Sequence, residues 1–351
     1  MHRNLLIITQ RVDEEDDLLG FFVDWIREFS KHFDKVFVIT LARGKYDLPV
    51  NVKVHSLGKE KGNSKLSRLI TFYYLLFTLL PKSSGIFAHM SPIFVIASWP
   101  IAFILRKKMI FWYLHRSVTL KLKLALLMCY KLVTAVIESL GIKSKKIIET
   151  GHGINIKRFR NIRDRIDTSL KIISVGRISP IKDYETIIKA VKIIKDSGLS
   201  PKLTIIGQPK MPKDFKYSNY LKKIVKDLDL GGNIVFTGFV KHNEIPEYYK
   251  SNNYFVGALP NGGIDKAMLE AMTSGCIAIT SNQAFSRYLK DSSRLLIFKE
   301  KDGPNLADKI LQIHRMPLDD KKELSRQMVN IVTDNHEVSK TIKNIVNQYG
   351  Q

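Results

Sequence analysis

Two kinds of apolar run alternate along the chain. Leu5–Thr9, Lys35–Thr40, Val52–His55, Gly85–His89 and Met109–Tyr113 are short and β-rich, the form taken by strands covered on both faces. Longer stretches with helical spacing lie between them, clearest in Leu18–Phe33, where Leu18, Phe21, Phe22, Trp25, Ile26 and Phe29 share a face. Leu66–Leu80 and Pro92–Leu105 read the same way. After the polar stretch Arg158–Thr168 a second series begins with strand Lys171–Val175, helix Tyr184–Lys195, strand Lys202–Ile206, helix Asn219–Leu228 and strand Asn233–Phe236. It continues through a short helix Ile245–Ser251, strand Tyr254–Ala258, helix Ile264–Ser274 and strand Cys276–Thr280, with helices from about Leu318. Strands alternating with helices predict βαβ units, parallel sheets and right-handed crossovers, here in two α/β halves. The expected domains are 1–165, 166–334 and a final helix, 335–351, packing back on the first. A ligand cleft is expected where the carboxyl ends of both sheets face each other.

A length of 351 residues suits two domains, and 45% hydrophobic with 25% charged residues excludes a disordered chain or a small disulfide scaffold. Cys129 and Cys276, far apart in apolar surroundings, read as buried reduced thiols of a cytosolic protein and are too few for a zinc cluster. The first strand runs at once into the acidic Asp13–Asp17, unlike a signal peptide. Leu69–Leu80 is too short to span a bilayer, and Ser83–Leu105, with its serines, His89, Pro92 and Pro100, suits a buried strand, a turn and a helix.

Charge changes this picture. The chain carries 56 Lys and Arg against 33 Asp and Glu, and residues 51–160 alone hold 19 against 3. Some surface there is expected to seek phosphates of lipid headgroups, nucleic acid or an anionic substrate. The stretch from Lys59 to Arg116, with Arg106, Lys107 and Lys108 beside Trp112, suits an anionic membrane. No nucleic-acid motif accompanies it, and its cations alternate with deep apolar runs.

Two segments carry candidate chemistry. In Ser174–Ala190 a buried strand ends at Gly176, a loop carries Arg177 and Lys182, and a helix begins near Asp183 or Tyr184. A glycine admits close backbone approach, a helix start offers unpaired N–H groups, and two cations beside them make a diphosphate-sized anion site. In Pro260–Gly275 a glycine-rich turn with Gly263 opens a second helix start at Asp265 and Lys266. Glu270 follows among apolar neighbours, a carboxylate that needs partners: a ligand's paired hydroxyls or nearby backbone.

Arg177 and Lys182 at this spacing, Thr237-Gly238-Phe239, Leu269-Glu270-Ala271-Met272 before Ser274-Gly275, and Gly151-His-Gly-Ile-Asn155 before Phe159 together resemble the family 4 glycosyltransferases. The resemblance covers roughly Gly151–Thr280 and is looser in the amino-terminal half. It implies a GT-B architecture, two Rossmann-like domains facing across a cleft with C-terminal helices, the first binding acceptor and the second a nucleotide sugar. It implies a retaining transfer of a hexose-type sugar from UDP or GDP to a lipid-linked or glycan acceptor, with no cofactor and no metal. Arg177 and Lys182 would hold the diphosphate, with Gly176, Gly238, Phe239, Gly263, Asp265 and Lys266 around it and Glu270 on the ribose. Gly20, in Asp17-Leu-Leu-Gly-Phe-Phe22, would match a glycine loop that closes on the donor. His115 would stand near the transferred sugar, with His89 and His152 as lesser candidates. The implied setting is cytoplasmic, peripheral on the inner face of the cell membrane, in cell-envelope polysaccharide synthesis. Gly262 stands where the family has a first glutamate, which puts sugar identity in question, and Asn155 stands where Asp is usual. The rival reading is a nucleotide-sugar- or polyanion-binding protein without transferase activity.

Overall fold

The computed structural model of the chain describes residues 3–160, 166–260 and 262–350. The expected domain boundary at 165 lies outside the described residues, as does Asn261 of the glycine-rich turn. The chain forms two compact units, one of 1–153 with 336–351 and one of 154–335.

The first unit runs β1 (Asn4–Val12), α1 (Phe22–Phe29), β2 (Lys35–Arg43), β3 (Val52–Ser56), α2 (Lys65–Leu79), β4 (Gly85–His89), α3 (Pro92–Ile104), β5 (Lys108–Trp112), α4 (Leu120–Met128), β6 (Lys131–Thr134) and β7 (Ile147–Glu149). Its strands form one parallel seven-stranded sheet in the order β3-β2-β1-β4-β5-β6-β7. Alternate residues of each strand feed opposite cores. Leu6, Ile8, Ile86, Met109 and Phe111 pack under α2, α3 and α4, whereas Leu5, Ile7, Phe87 and Ile110 pack under α1. The strands are therefore apolar throughout, as expected of a sheet covered on both faces. Ser64 caps α2 by accepting from the Ser67 N–H, Thr119 caps α4 in the same way through Leu122, and Pro92 opens α3. No helix among the described residues is long and apolar enough to cross a membrane.

Two sequence expectations shift here. The first helix begins at Phe22 rather than Leu18, because Asp16 accepts from the Leu18 and Leu19 N–H groups and holds them in a turn. Trp112 does not reach the surface: it is 2% exposed and packs edge-on to Trp25 at 4.6 Å.

The second unit holds α5 (Ile156–Phe159), β8 (Lys171–Val175), α6 (Tyr184–Asp196), β9 (Lys202–Ile206), α7 (Pro212–Asp227), β10 (Ile234–Gly238), α8 (Ile245–Lys250), β11 (Tyr254–Gly257), α9 (Lys266–Thr273) and β12 (Ile277–Thr280). It ends with α10 (Ser286–Leu289), α11 (Ser293–Leu296), α12 (Gly303–Arg315) and α13 (Leu318–Asn335). Its sheet is also parallel, ordered β10-β9-β8-β11-β12. Strand order reverses between β8 and β11, and their carboxyl ends flank the crevice where open α/β sheets take ligands.

A last helix, α14 (Val338–Gly350), belongs to the first unit. Its Ile342, Ile345 and Val346 join the α1 side of the core, and Tyr349 donates its hydroxyl to the Ile86 carbonyl at 2.7 Å.

Candidate active site

The β8 loop is held by glycines that no other residue could replace without displacement. Gly176 has φ 152°, and a Cβ there would stand 2.8 Å from Lys182 Cε and 2.9 Å from its Nζ. The missing side chain is the space Lys182 crosses. The Gly176 carbonyl accepts from the Tyr184 hydroxyl at 2.8 Å, and its N–H donates to the Ile206 carbonyl at 2.9 Å, tying the loop to α6 and β9.

Both cations of this loop are steered by carboxylates. Arg177 Nε lies 3.6 Å from Oδ2 of the fully buried Asp214, while the arginine side chain stays 40% exposed. Asp214 also accepts from the Met211 and Lys210 N–H groups at the start of α7, so the carboxylate that orients the arginine is itself fixed. Lys182 Nζ donates to Asp265 Oδ2 at 3.1 Å, and Asp265 Oδ1 caps α9 by accepting from the Ala267 N–H at 3.2 Å. This contact joins the loops after β8 and β11 at the point where strand order reverses.

Glu270 lies buried in α9. Its Oε1 is 3.1 Å from His242 Nε2 and 3.5 Å from Lys266 Nζ. Arg158 stands 3.0 Å from His242 Nδ1, and a guanidinium can only donate. The Nδ1 lone pair is thus used, which puts the imidazole proton on Nε2, donating to Glu270. Burial alone would raise the Glu270 pKa, but the charge of Lys266 and the hydrogen bonds from His242 and Lys266 outweigh it and hold the carboxyl below its ordinary range. The site therefore contains a buried, ionised carboxylate beside fixed cations.

Of the residues expected from sequence, Gly176, Arg177, Lys182, Asp265, Lys266 and Glu270 come together here. Gly238, left-handed at φ 76°, accepts from the Gly207 N–H beside the β8 loop, and Phe239 follows it, partly exposed. The Gly263 carbonyl accepts from Asn282 Nδ2 at 2.9 Å. Asn155 caps α5 through the Arg158 N–H. Sequence reasoning missed His242, Arg158 and Asp214. Only His242 left a signal, a histidine shortly after Gly238 and Phe239 at a strand's carboxyl end.

The remaining candidates belong to the first unit. His115 follows β5 with its ring 5.4 Å from Tyr113, and desolvation lowers its pKa, so its imidazole is neutral at pH 7. Gly20 closes the turn before α1, where a Cβ would stand 2.7 Å from the Asp16 carbonyl oxygen. His89 is a core residue: its ring stacks on Phe22 at 3.8 Å and its Nδ1 lies 3.1 Å from Thr9 Oγ1. The His152 N–H donates to His336 Nδ1 at 3.3 Å, and the Gly153 carbonyl accepts from Trp25 Nε1 at 2.9 Å, which gives the Gly151–Gly153 segment a packing role.

The family described as glycosyl transferases group 1 matches residues 155–332, just over half of the chain. Among curated relatives, the amylovoran biosynthesis glycosyltransferase AmsK of Erwinia amylovora is 29% identical over 155 residues, 42% of this chain and 36% of that protein. The UDP-Gal:alpha-D-GlcNAc-diphosphoundecaprenol alpha-1,3-galactosyltransferase of Escherichia coli is 29% identical over 160 residues, 42% of this chain and 39% of that protein. The matched region thus spans little more than a third of these relatives' length. Among solved structures, Anabaena HepE in complex with UDP aligns with a TM-score of 0.75 at 14% identity, covering 99% of each chain, and shares the GT-B fold.

Proposed function

The chain belongs to the glycosyl transferases group 1 family, and from that premise we propose that it is a retaining, family 4 glycosyltransferase. It moves a hexose-type sugar from a nucleoside diphosphate to a lipid-linked or polysaccharide acceptor. The observation that carries this reading is the crevice between β8 and β11, where Arg177 and Lys182 of one loop, the latter paired with Asp265, meet the start of α9 with Lys266 beside the ionised Glu270. A departing diphosphate gains negative charge, and cations already oriented by Asp214 and Asp265 stabilise it without reorganising at the moment of reaction. Glu270 accepts the ribose hydroxyls as a charge-assisted partner. His115, neutral at pH 7, serves the transferred sugar as a hydrogen-bonding group. The leaving phosphate takes the acceptor proton, and the protein's own cations replace a metal.

UDP-sugars are the first donors to try, since HepE was solved with UDP-glucose, and GDP-sugars the second. The acceptor class follows the names of the relatives, one in amylovoran biosynthesis and one acting on a diphosphoundecaprenol-linked sugar. The basic stretch 51–160 supports a place on the inner, cytoplasmic face of the cell membrane, in cell-envelope polysaccharide synthesis.

One observation favours a binder without transferase activity: Gly262 leaves the donor sugar without the usual glutamate. A nucleotide-sugar panel by calorimetry, followed by hydrolysis of the donor that binds, separates the two. Turnover that continues in chelator supports the transferase reading. Binding without hydrolysis or transfer to any lipid-linked acceptor favours the binder, and no binding at all removes both.

A further inference from the structure

Between Glu60 and Glu138 the chain has no Asp or Glu and 11 Lys and Arg. Helices α2, α3 and α4 fall in this stretch, adjacent on one face of the seven-stranded sheet. Each buries one side through residues such as Leu76, Val95 and Ala125, yet large apolar side chains stand on the other side as well, in α2 and α4 alongside basic residues. Phe77 of α2 is 63% exposed, Phe103 and Ile104 of α3 are 67% and 77% exposed, and Leu127 of α4 is 74% exposed. Single exposed apolar residues are ordinary, but a set of them on neighbouring helices marks an interaction surface.

A groove of about 670 Å³ opens beside this surface, at the amino-terminal ends of β5 and β6. Arg106, Lys107, Lys108, Lys131 and Lys146 line it, and no carboxylate does. Lys146 is committed to the end of α4, donating to the Leu126, Leu127 and Cys129 carbonyls at 3.1, 2.7 and 2.9 Å. Lys108 lies over the Tyr130 ring, 4.7 Å from its centroid. Among the described residues, Arg106, Lys107 and Lys131 have no ion-pair partner. Arg106 also holds a left-handed backbone, φ 51°, in the turn that ends α3. Glycine takes such a helix-terminal position at lower cost, so a guanidinium stands where the backbone does not favour one.

We propose that this groove binds the phosphate of an anionic glycerophospholipid while the exposed side chains of α2, α3 and α4 enter the bilayer interface. The proposal rests on the reading that the protein works at a membrane, and it names the surface and the lipid chemistry. Charge complementarity selects an anionic partner, and the aliphatic rim selects a bilayer over nucleic acid, whose phosphates would lie against Ile104 and Leu127 with nothing to gain. The groove lies at the amino ends of its strands, whereas ligands of such sheets bind at the carboxyl ends. Substitutions here are therefore separable from donor chemistry.

The test uses the full chain with phosphatidylcholine vesicles, with and without phosphatidylglycerol, at low and high salt. Each basic residue near an anionic surface is worth about fivefold in affinity. The triple variant Arg106→Ser, Lys107→Ser, Lys131→Ser should therefore lose on the order of 100-fold for the anionic vesicles. Phe103→Ser with Leu127→Ser should lose vesicle binding at both salt concentrations. Both variants should keep the wild-type melting temperature and nucleotide-sugar affinity, so failure of the donor assignment would show separately. Wild-type vesicle binding by the triple variant overturns the proposal, and so does equal competition by glycerol phosphate or single-stranded RNA.

Discussion

Lys182 Nζ rests 3.1 Å from Asp265 Oδ2, so the lysine proposed to meet the diphosphate already has a counter-ion. Asp265 does two things at once, capping α9 with one oxygen and holding the lysine with the other. In the proposed donor site a bound diphosphate has to replace or share that carboxylate. Asp265→Asn keeps a good capping residue and removes the negative charge. Its melting temperature should stay near wild type, while UDP binds several-fold tighter by calorimetry. Weaker binding would mean that Asp265 contacts the donor rather than opposing it.

Gly176→Ala should act through Lys182. The added Cβ meets Lys182 Cε and Nζ at 2.8 and 2.9 Å, and the backbone at φ 152° suits only glycine. Strain of this kind costs about 1–3 kcal/mol, and the lysine has to leave its place. A double-mutant cycle on kcat checks the cause. In a Lys182→Ala background, Gly176→Ala should have little further effect. Full additivity would place the role of the glycine elsewhere.

Much of this was legible in the sequence because the relevant signals are local. Strands covered on both faces announce themselves as unbroken apolar runs, and Gly176, Arg177 and Lys182 belong to one loop. Helix α4 was not legible, because Leu120-Lys-Leu-Lys-Leu124 alternates like a strand and leucines lie on its exposed side as well as its buried one. Asp214 and His242 were not legible as partners, since neither is near Arg177 or Glu270 along the chain and only the sheet order brings them together. Trp112 misled for the opposite reason: its cationic neighbours suggested surface, but it ends a strand with both faces covered.

The ionised Glu270 should leave a signature in acid stability. Burial would raise its pKa, but Lys266 and His242 hold it below the ordinary value. A carboxyl lowered in the folded state adds stability that is complete above the unfolded pKa, about 4.3, and is lost as pH falls through the folded value. The wild type should therefore exceed Glu270→Gln in urea stability at pH 7, with the gap closing below about pH 4. A gap independent of pH would show that the carboxylate does not titrate as the His242 and Lys266 contacts require.

Lys182 and Glu270 should separate catalysis from binding. In the proposed reaction Lys182 faces a group that gains charge on leaving, so Lys182→Ala should chiefly lower kcat. Losing a preorganised donor of this kind typically costs about 2.7–4 kcal/mol of barrier, roughly 100- to 1,000-fold. Because that change also frees Asp265 to repel the diphosphate, Lys182→Ala with Asp265→Asn is the cleaner comparison, and it should keep the kcat loss while recovering donor affinity. On the same proposal Glu270 serves a ribose that is unchanged in the reaction, so Glu270→Ala should mainly raise KM for the donor. A charged hydrogen-bond partner is worth about 1.5–3 kcal/mol, or roughly 10- to 150-fold. Thermal unfolding of each variant confirms that the fold survives, which matters most for Glu270, whose loss leaves Lys266 and the Arg158–His242 pair without their carboxylate. If Lys182→Ala leaves kcat intact and only weakens binding, the lysine binds ground and transition states alike. If both variants turn over like wild type, the donor lies in another loop.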